Sequence, residues 1–279
     1  MRLNIVMLVP LLALAAPALA QEAEEPKKPE ATASTAPGGG GDGSQPATKD
    51  EVRALAAELR RLKLELDLGE TEYRSYEGMG PAASKVYFAP KGLAIGGYGE
   101  TYYRNTLEDD ATDRSDLYRV VLYAGYRFTP KIVFNAEIEF EHQDELAVEF
   151  AYLDFLMSDA VRLRIGNLLV PIGFVNEMHE PAFFNGVFRP ALEQDLIPST
   201  WNENGVGVHG ELAGLRYKAY ALVGLNATSG EVSPGRWLRN ARTGGGESPA
   251  ESFAGVLNLA YDLGPAIVGG TVYGGRAGQ

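Results

Sequence analysis

Lys131-Ile132-Val133-Phe134-Asn135-Ala136-Glu137-Ile138-Glu139-Phe140-Glu141 decides the fold. Ile132, Phe134, Ala136, Ile138 and Phe140 fall on one side of a period of two, and Val133, Asn135, Glu137, Glu139 and Glu141 on the other. A ribbon with one apolar face and one carboxylate-bearing face is the mark of a β-strand between two unlike environments. The same alternation runs through Tyr118–Phe128, where Arg119 and Arg127 share the second face, through Leu215–Asn226 with Arg216 and Lys218, and through Phe253–Leu263. It also marks Val161–Leu169, with Arg162 and Arg164 on the polar face. Nine strands are expected, near 93–103, 116–128, 131–141, 145–157, 161–169, 204–212, 215–226, 252–263 and 266–274.

A soluble sandwich also alternates, but three features point to a transmembrane barrel. Several of the strands reach the ~10 residues that a tilted strand needs to cross a bilayer, against the ~5–6 of ordinary strands. Tyr103, Tyr118, Phe128, Phe140 and Tyr261 lie toward strand ends, where interfacial girdles sit. Connections alternate in length: Thr129-Pro130, Ser158–Ala160, Ala213-Gly214 and Gly264-Pro265 are tight, while 104–115, 170–203 and 227–251 are long, His142–Asp144 being the exception. Outer-membrane barrels keep short turns in the periplasm and long loops outside.

The N-terminus fits that compartment. Arg2, the apolar run Ile5–Ala16 and Ala18-Leu19-Ala20 have the layout of a secretory signal peptide over residues 1–20. Residues 21–47, rich in Pro, Gly, Ala, Ser, Thr and Glu, read as a disordered linker. Over 48–68, Val52, Leu55, Leu59, Leu62 and Leu66 recur at 3-4 spacing, which predicts a helix seated either in a short coiled coil or on the rest of the protein. Residues 69–92 are a connector, and 93–279 form the barrel portion.

Composition narrows the function. The 279 residues contain 37 acidic and 25 basic side chains, net charge −12, which argues against nucleic acid as a partner. Zero cysteine excludes disulfides, thiolate metal sites and a lipidated N-terminal Cys. His142, His179 and His209 lack metal-ligand spacing, and His179-Glu180 is followed by Pro181. Gly205-x-Gly207-x-x-Gly210 has the letters of a dinucleotide loop without a following helix pattern. No enzymatic constellation and no cofactor motif emerges.

The segment Val161–Gly210 resembles the phosphate-selective porin O and P family, on Arg164-Ile165-Gly166-Asn167-Leu168-Leu169-Val170-Pro171-Ile172-Gly173, His179-Glu180-Pro181 and Leu196–Gly207. The resemblance implies an all-β, transmembrane antiparallel β-barrel, of which this chain holds about nine of sixteen strands, preceded by the short coiled-coil helix. It further implies a homotrimeric bacterial outer-membrane porin, in contact with lipid, that passes small hydrophilic solutes, with anions such as phosphate among them. The alternative is a structural anchor whose periplasmic helix tethers cell wall or a partner.

On either reading the polar face is expected to line the lumen, with Arg119, Arg127, Glu137, Glu139, Glu149, Arg162, Arg164, Glu211, Arg216 and Lys218. The Pro171–Asn202 loop is the constriction candidate, with Phe174, Phe183, Phe184, Phe188 and Trp201 as anchors and Arg189, Glu193 and Asp195 facing the channel; the alternative is an external loop packed at the trimer contact. The final strand leaves an edge that wants a partner. The gene downstream of codon 279 is therefore expected to encode further alternating strands ending in Phe or Tyr. Sequencing checks this, and an immediate stop would count against a large pore.

Overall fold

The computed structural model describes residues 4–14, 48–65, 74–105, 112–183, 188–198, 200–228, 237–264 and 266–278. Two compact units emerge, residues 16–72 and the rest. In the smaller, α1 (Lys49–Glu65) forms where the heptad spacing predicts it. Val52, Leu55 and Leu59 are exposed along it. No coiled-coil partner is shown; the side chain of Leu62, and Leu66 altogether, lie outside the described residues, as does the linker 21–47.

The larger unit is an antiparallel sheet of ten strands: β1 (Asn4–Leu14), β2 (Gly92–Arg104), β3 (Arg114–Thr129), β4 (Ile132–Glu141), β5 (Glu145–Phe155), β6 (Arg162–Leu169), β7 (Asn202–Leu212), β8 (Leu215–Val223), β9 (Phe253–Asp262) and β10 (Ala266–Arg276). From β2 to β10 each strand pairs with the next in sequence, the connectivity of an up-and-down meander. All nine expected strands are present, with ends within a few residues of the reading. Ala213 and Gly214 both adopt positive φ, 51° and 81°, so the β7–β8 connection is a two-residue turn of the primed kind whose twist matches the strands.

Two elements depart from expectation. The apolar segment read as a signal peptide lies as β1 along β10, Asn4 opposite Arg276 and Leu14 opposite Ala266, so that edge of β10 is covered. An open edge offers unpaired N–H and C=O groups, and an unbroken apolar ribbon can supply their partners. The connector contains a helix, α2 (Pro81–Phe88), with proline in its first turn. The sheet is not closed among the described residues, since β1 and β2 are its two ends.

The sheet is inverted relative to a soluble protein. On β4 the carboxylates Glu137 and Glu139 are 0% and 3% exposed, whereas Phe140 is 43% exposed. On β3, Arg119, Val121 and Tyr123 are buried and Val120, Leu122, Tyr126 and Phe128 exposed. On β9, Ala254 and Val256 are buried while Leu257, Leu259 and Tyr261 face outward. The polar face is thus the concealed one. A soluble monomer rarely exposes an apolar patch beyond ~300–600 Å²; here apolar rows run across nine neighbouring strands. Phe253 and Tyr261, exposed at the two ends of β9, are separated by about 27 Å of strand at ~3.4 Å per residue. A ~40° tilt reduces that to about 21 Å, close to the ~25 Å apolar band of outer-membrane barrels.

Helix α2 lies on the concealed face against β2, β3 and β4. Gly125 on β3 makes this contact possible: a Cβ there would come within 2.5 Å of the Val86 side chain. Gly125→Val is expected to lift α2 off the sheet, and Val86→Ala alone to leave it in place, because the clash is with the Val86 Cβ itself. Because the chain lacks cysteine, a single Cys at buried Ala83 reports this by maleimide labelling, expected to be about tenfold faster in Gly125→Val as the site opens.

Candidate functional site

The charged residues of the concealed face gather in two groups. At the tight-turn end, Glu77 in the connector receives Arg162 and Arg164 of β6 and His209 of β7. Glu77 pairs closely with Arg162, lies 3.8 Å from Arg164 Nη2 and is 2.6 Å from His209 Nδ1. Asp154 of β5 takes the other side of the same groups, 2.7 Å from Arg164 Nη2 and 2.9 Å from His209 Nε2. A carboxylate therefore sits within ion-pair distance of each ring nitrogen of His209. Tyr87 of α2 donates to Asp154 Oδ2 at 2.8 Å. Lys218 of β8 donates to Glu177 at 2.7 Å and to the Glu77 carbonyl at 3.1 Å. Burial works to raise the Glu77 carboxyl, but the His209 hydrogen bond and the charges of His209, Arg164 and Lys218 outweigh it and hold it at about 2.

Arg127, expected in the channel lining, instead caps the end of α2, donating to the Tyr87 and Ala89 carbonyls at 2.6 and 2.8 Å. These carbonyls lack helical partners, so the guanidinium satisfies them and favours the negative end of the helix. Glu211 also departs from expectation: it is exposed at the end of β7. Arg216 is half-buried and borders a small cavity with Glu77 and Lys218.

The 170–201 connection folds across the concealed face, with its polypeptide held by backbone-directed amides. Asn176 donates to the Val170 and Trp201 carbonyls and accepts from the Trp201 N–H at 2.6 Å, stapling both ends of the connection. His179 Nε2 is 3.0 Å from Glu137 on β4, and Thr271 on β10 donates to the Pro171 carbonyl at 2.9 Å. Burial works to lower the His179 imidazole, but Glu137 prevails and raises it. The connection therefore reaches from β10 to β4.

Among the expected aromatic anchors, Trp201 agrees with the reading and Phe174 and Phe188 do not. Trp201 is fully buried, against Tyr273 with ring centroids 5.0 Å apart, and donates to Glu203. Phe174 and Phe188 are exposed, and Phe183 is half-buried. Glu193, expected to face a channel, is instead buried and accepts the Phe174 N–H at 2.7 Å. Phe184 and the side chain of Asp195 lie outside the described residues.

At the long-loop end, Arg119 is surrounded by Glu139 at 2.5 Å, Glu100 at 3.0 Å and Glu141 at 3.3 Å. Beyond them opens a cavity of about 550 Å³ walled by Glu139, Glu141, Glu149, Arg189, Arg239 and Arg242. Glu149 reaches it through a bulge. The β4–β5 register slips between Glu137 and Ile138, so Glu149 and Phe150, adjacent in sequence, are both buried. Simple alternation assigns Phe150, Tyr152 and Asp154 no clear face, which is why Asp154 escapes a sequence reading. The glycines of the dinucleotide-like run have a packing role: a Cβ at Gly207 would fall 1.9 Å from the Tyr220 ring. Among the described residues no cluster has the make-up of a metal site.

No family model matches the chain. A protein of Aquifex aeolicus (strain VF5), described only as uncharacterized, is 47% identical over 213 residues, 74% of this chain and 49% of its own length. The chain thus spans about half the length of the curated relative it matches. Among solved structures, OmpTdeltaL8, a loop L8 deletion mutant of OmpT, an outer membrane protein of Vibrio cholerae, covers 66% of this chain and 70% of its own at 13% identity. Its TM-score of 0.29 is too low to bear on the fold.

Glu77 supplies a test of the tight-turn cluster. Its carboxyl sits near 2 in the fold against an ordinary 4.5. Its contribution is thus present above about 4.5 and is lost as pH falls through about 2. Glu77→Gln is expected to cost about 3 kcal/mol, the range for breaking a buried pair, and to flatten that acid transition in urea titrations of the detergent-solubilised protein.

Proposed function

We propose that this chain is the N-terminal part of an outer-membrane β-barrel of the phosphate-selective porin type, a passive diffusion channel for small hydrophilic solutes with phosphate among its anions. The observation that carries this is the inversion of the sheet. Charged and hydrogen-bonding side chains occupy its concealed face and Ile, Leu, Val, Phe and Tyr its exposed one. Lipid is the solvent that makes such an exterior favourable, and a polar interior is what a solute path requires. The meander connectivity, the short turns at one end and long connections at the other, and strands of eight to sixteen residues agree with it.

In this reading removal of the signal segment frees the β10 edge that β1 covers, further strands close the sheet there, and the barrels assemble as a homotrimer. The long connections are extracellular and the N-terminal helix periplasmic. A sixteen-stranded barrel encloses an aqueous channel, so a segment such as 74–89 narrows one side of the lumen without filling it. Charges of both signs line the wall, which gives a transverse field rather than an anion filter. A second reading, a membrane anchor with a tethering helix, draws on the dense packing of that segment at the tight-turn end and on the exposed Val52, Leu55 and Leu59.

Full-length protein in planar bilayers distinguishes them: stepwise conductance in KCl is expected of the channel, and its absence favours the anchor. Leu257→Arg, on the outward face, is expected to cost ~2–4 kcal/mol if lipid covers that residue. The measurement is the urea midpoint for refolding into vesicles. A cost near zero would mean that water, not lipid, meets this face.

A further inference from the structure

The cavity at the long-loop end has two unlike walls. Its strand wall carries Glu139, Glu141 and Glu149, and Arg119 is the cation bound to the first two. Its loop wall carries Arg189, Arg239 and Arg242. Arg242 donates to the Thr200 and Arg239 carbonyls, so the backbone fixes its guanidinium in place. Burial first, then the neighbouring charge of Arg239, bring that guanidinium down to about 10, despite the opposing pull of Glu149 and Glu203. Arg239 and Arg242 thus stand close enough for their charges to repel, and an anionic group between them is favoured.

The floor between the walls is open. Gly244 has φ +66°, and a Cβ at Gly246 would meet nothing within 4 Å. Asn202 and Thr243 add neutral polar groups to the lining. A simple anion drawn to the arginines meets three carboxylates opposite, and a simple cation meets the reverse. A solute with both charges at its two ends is favoured by both walls at once, and the wrong orientation is disfavoured twice.

We propose that this cavity is a binding site for small zwitterions of the amino acid or short peptide class, with the solute carboxylate at Arg239 and Arg242 and its ammonium at Glu149 and Glu139. The proposal rests on the solute-path reading above and names the solute class it would serve. About 550 Å³ is within the ~300–1,000 Å³ range of small-molecule sites.

The test is saturation-transfer NMR on the detergent-solubilised full-length protein, with glycylglycine, acetate and methylammonium as separate probes. Glycylglycine is expected to bind at least about tenfold more tightly than either half-charge probe, a difference of about 1.4 kcal/mol. Glu149→Gln and Arg239→Gln are each expected to remove most of that preference, with folding verified by heat-modifiable gel mobility. Should either variant misfold, wild-type competition between glycylglycine and acetate decides. Equal binding of acetate and glycylglycine, or no binding by folded protein, overturns the zwitterion site. Because binding is read without a membrane current, its failure is separable from absence of conductance, which overturns the channel instead.

Discussion

A charged side chain removed from water must find an opposite charge, and that requirement organises the concealed side of this sheet. Glu77 and Asp154 bracket Arg164 and His209, Glu137 holds His179, and Arg119 gathers Glu100, Glu139 and Glu141. An unpaired ion in such a place costs several kcal/mol. The sheet alone cannot balance its own inventory at the tight-turn end. The connector supplies Glu77, and the 170–201 connection supplies Glu177 and His179. Segments that look like mere links in sequence are the counter-charges of the strands.

What the sequence made legible follows from where its signal is periodic. Ile132–Glu141 alternates without interruption, and its structure is a strand with those two faces. Ala213-Gly214 is a turn because only a residue pair tolerant of positive φ joins twisted strands so tightly. Periodicity cannot say which face is concealed, since apolar-in and apolar-out give the same string. Strand length and turn asymmetry had to arbitrate. The bulge at Glu149 is likewise invisible, because one inserted residue reverses the parity that an alternation reading depends on.

The candidate site was legible in part. Arg119, Glu137, Glu139, Arg164 and Lys218 lie buried on the concealed face, where the polar period placed them. Glu77, Glu177 and His209 were not found, because their roles arise from pairing between segments far apart in sequence. Glu77 is 85 residues from Arg162 and Lys218 is 41 from Glu177. Of the aromatic residues expected to hold the long connection, Trp201 is buried, but Phe174 and Phe188 mislead for a related reason. Aromatic content predicts burial, but the hold is mostly polar: Asn176 grips two carbonyls and one N–H, which no hydropathy count detects.

Helix α2 precedes in the chain every one of the strands β2–β10, and its segment is gripped by side chains of β3, β4, β5, β6, β7 and β8. Its docking therefore depends on six strands at once: a change of register in any of them would withdraw a partner from the segment.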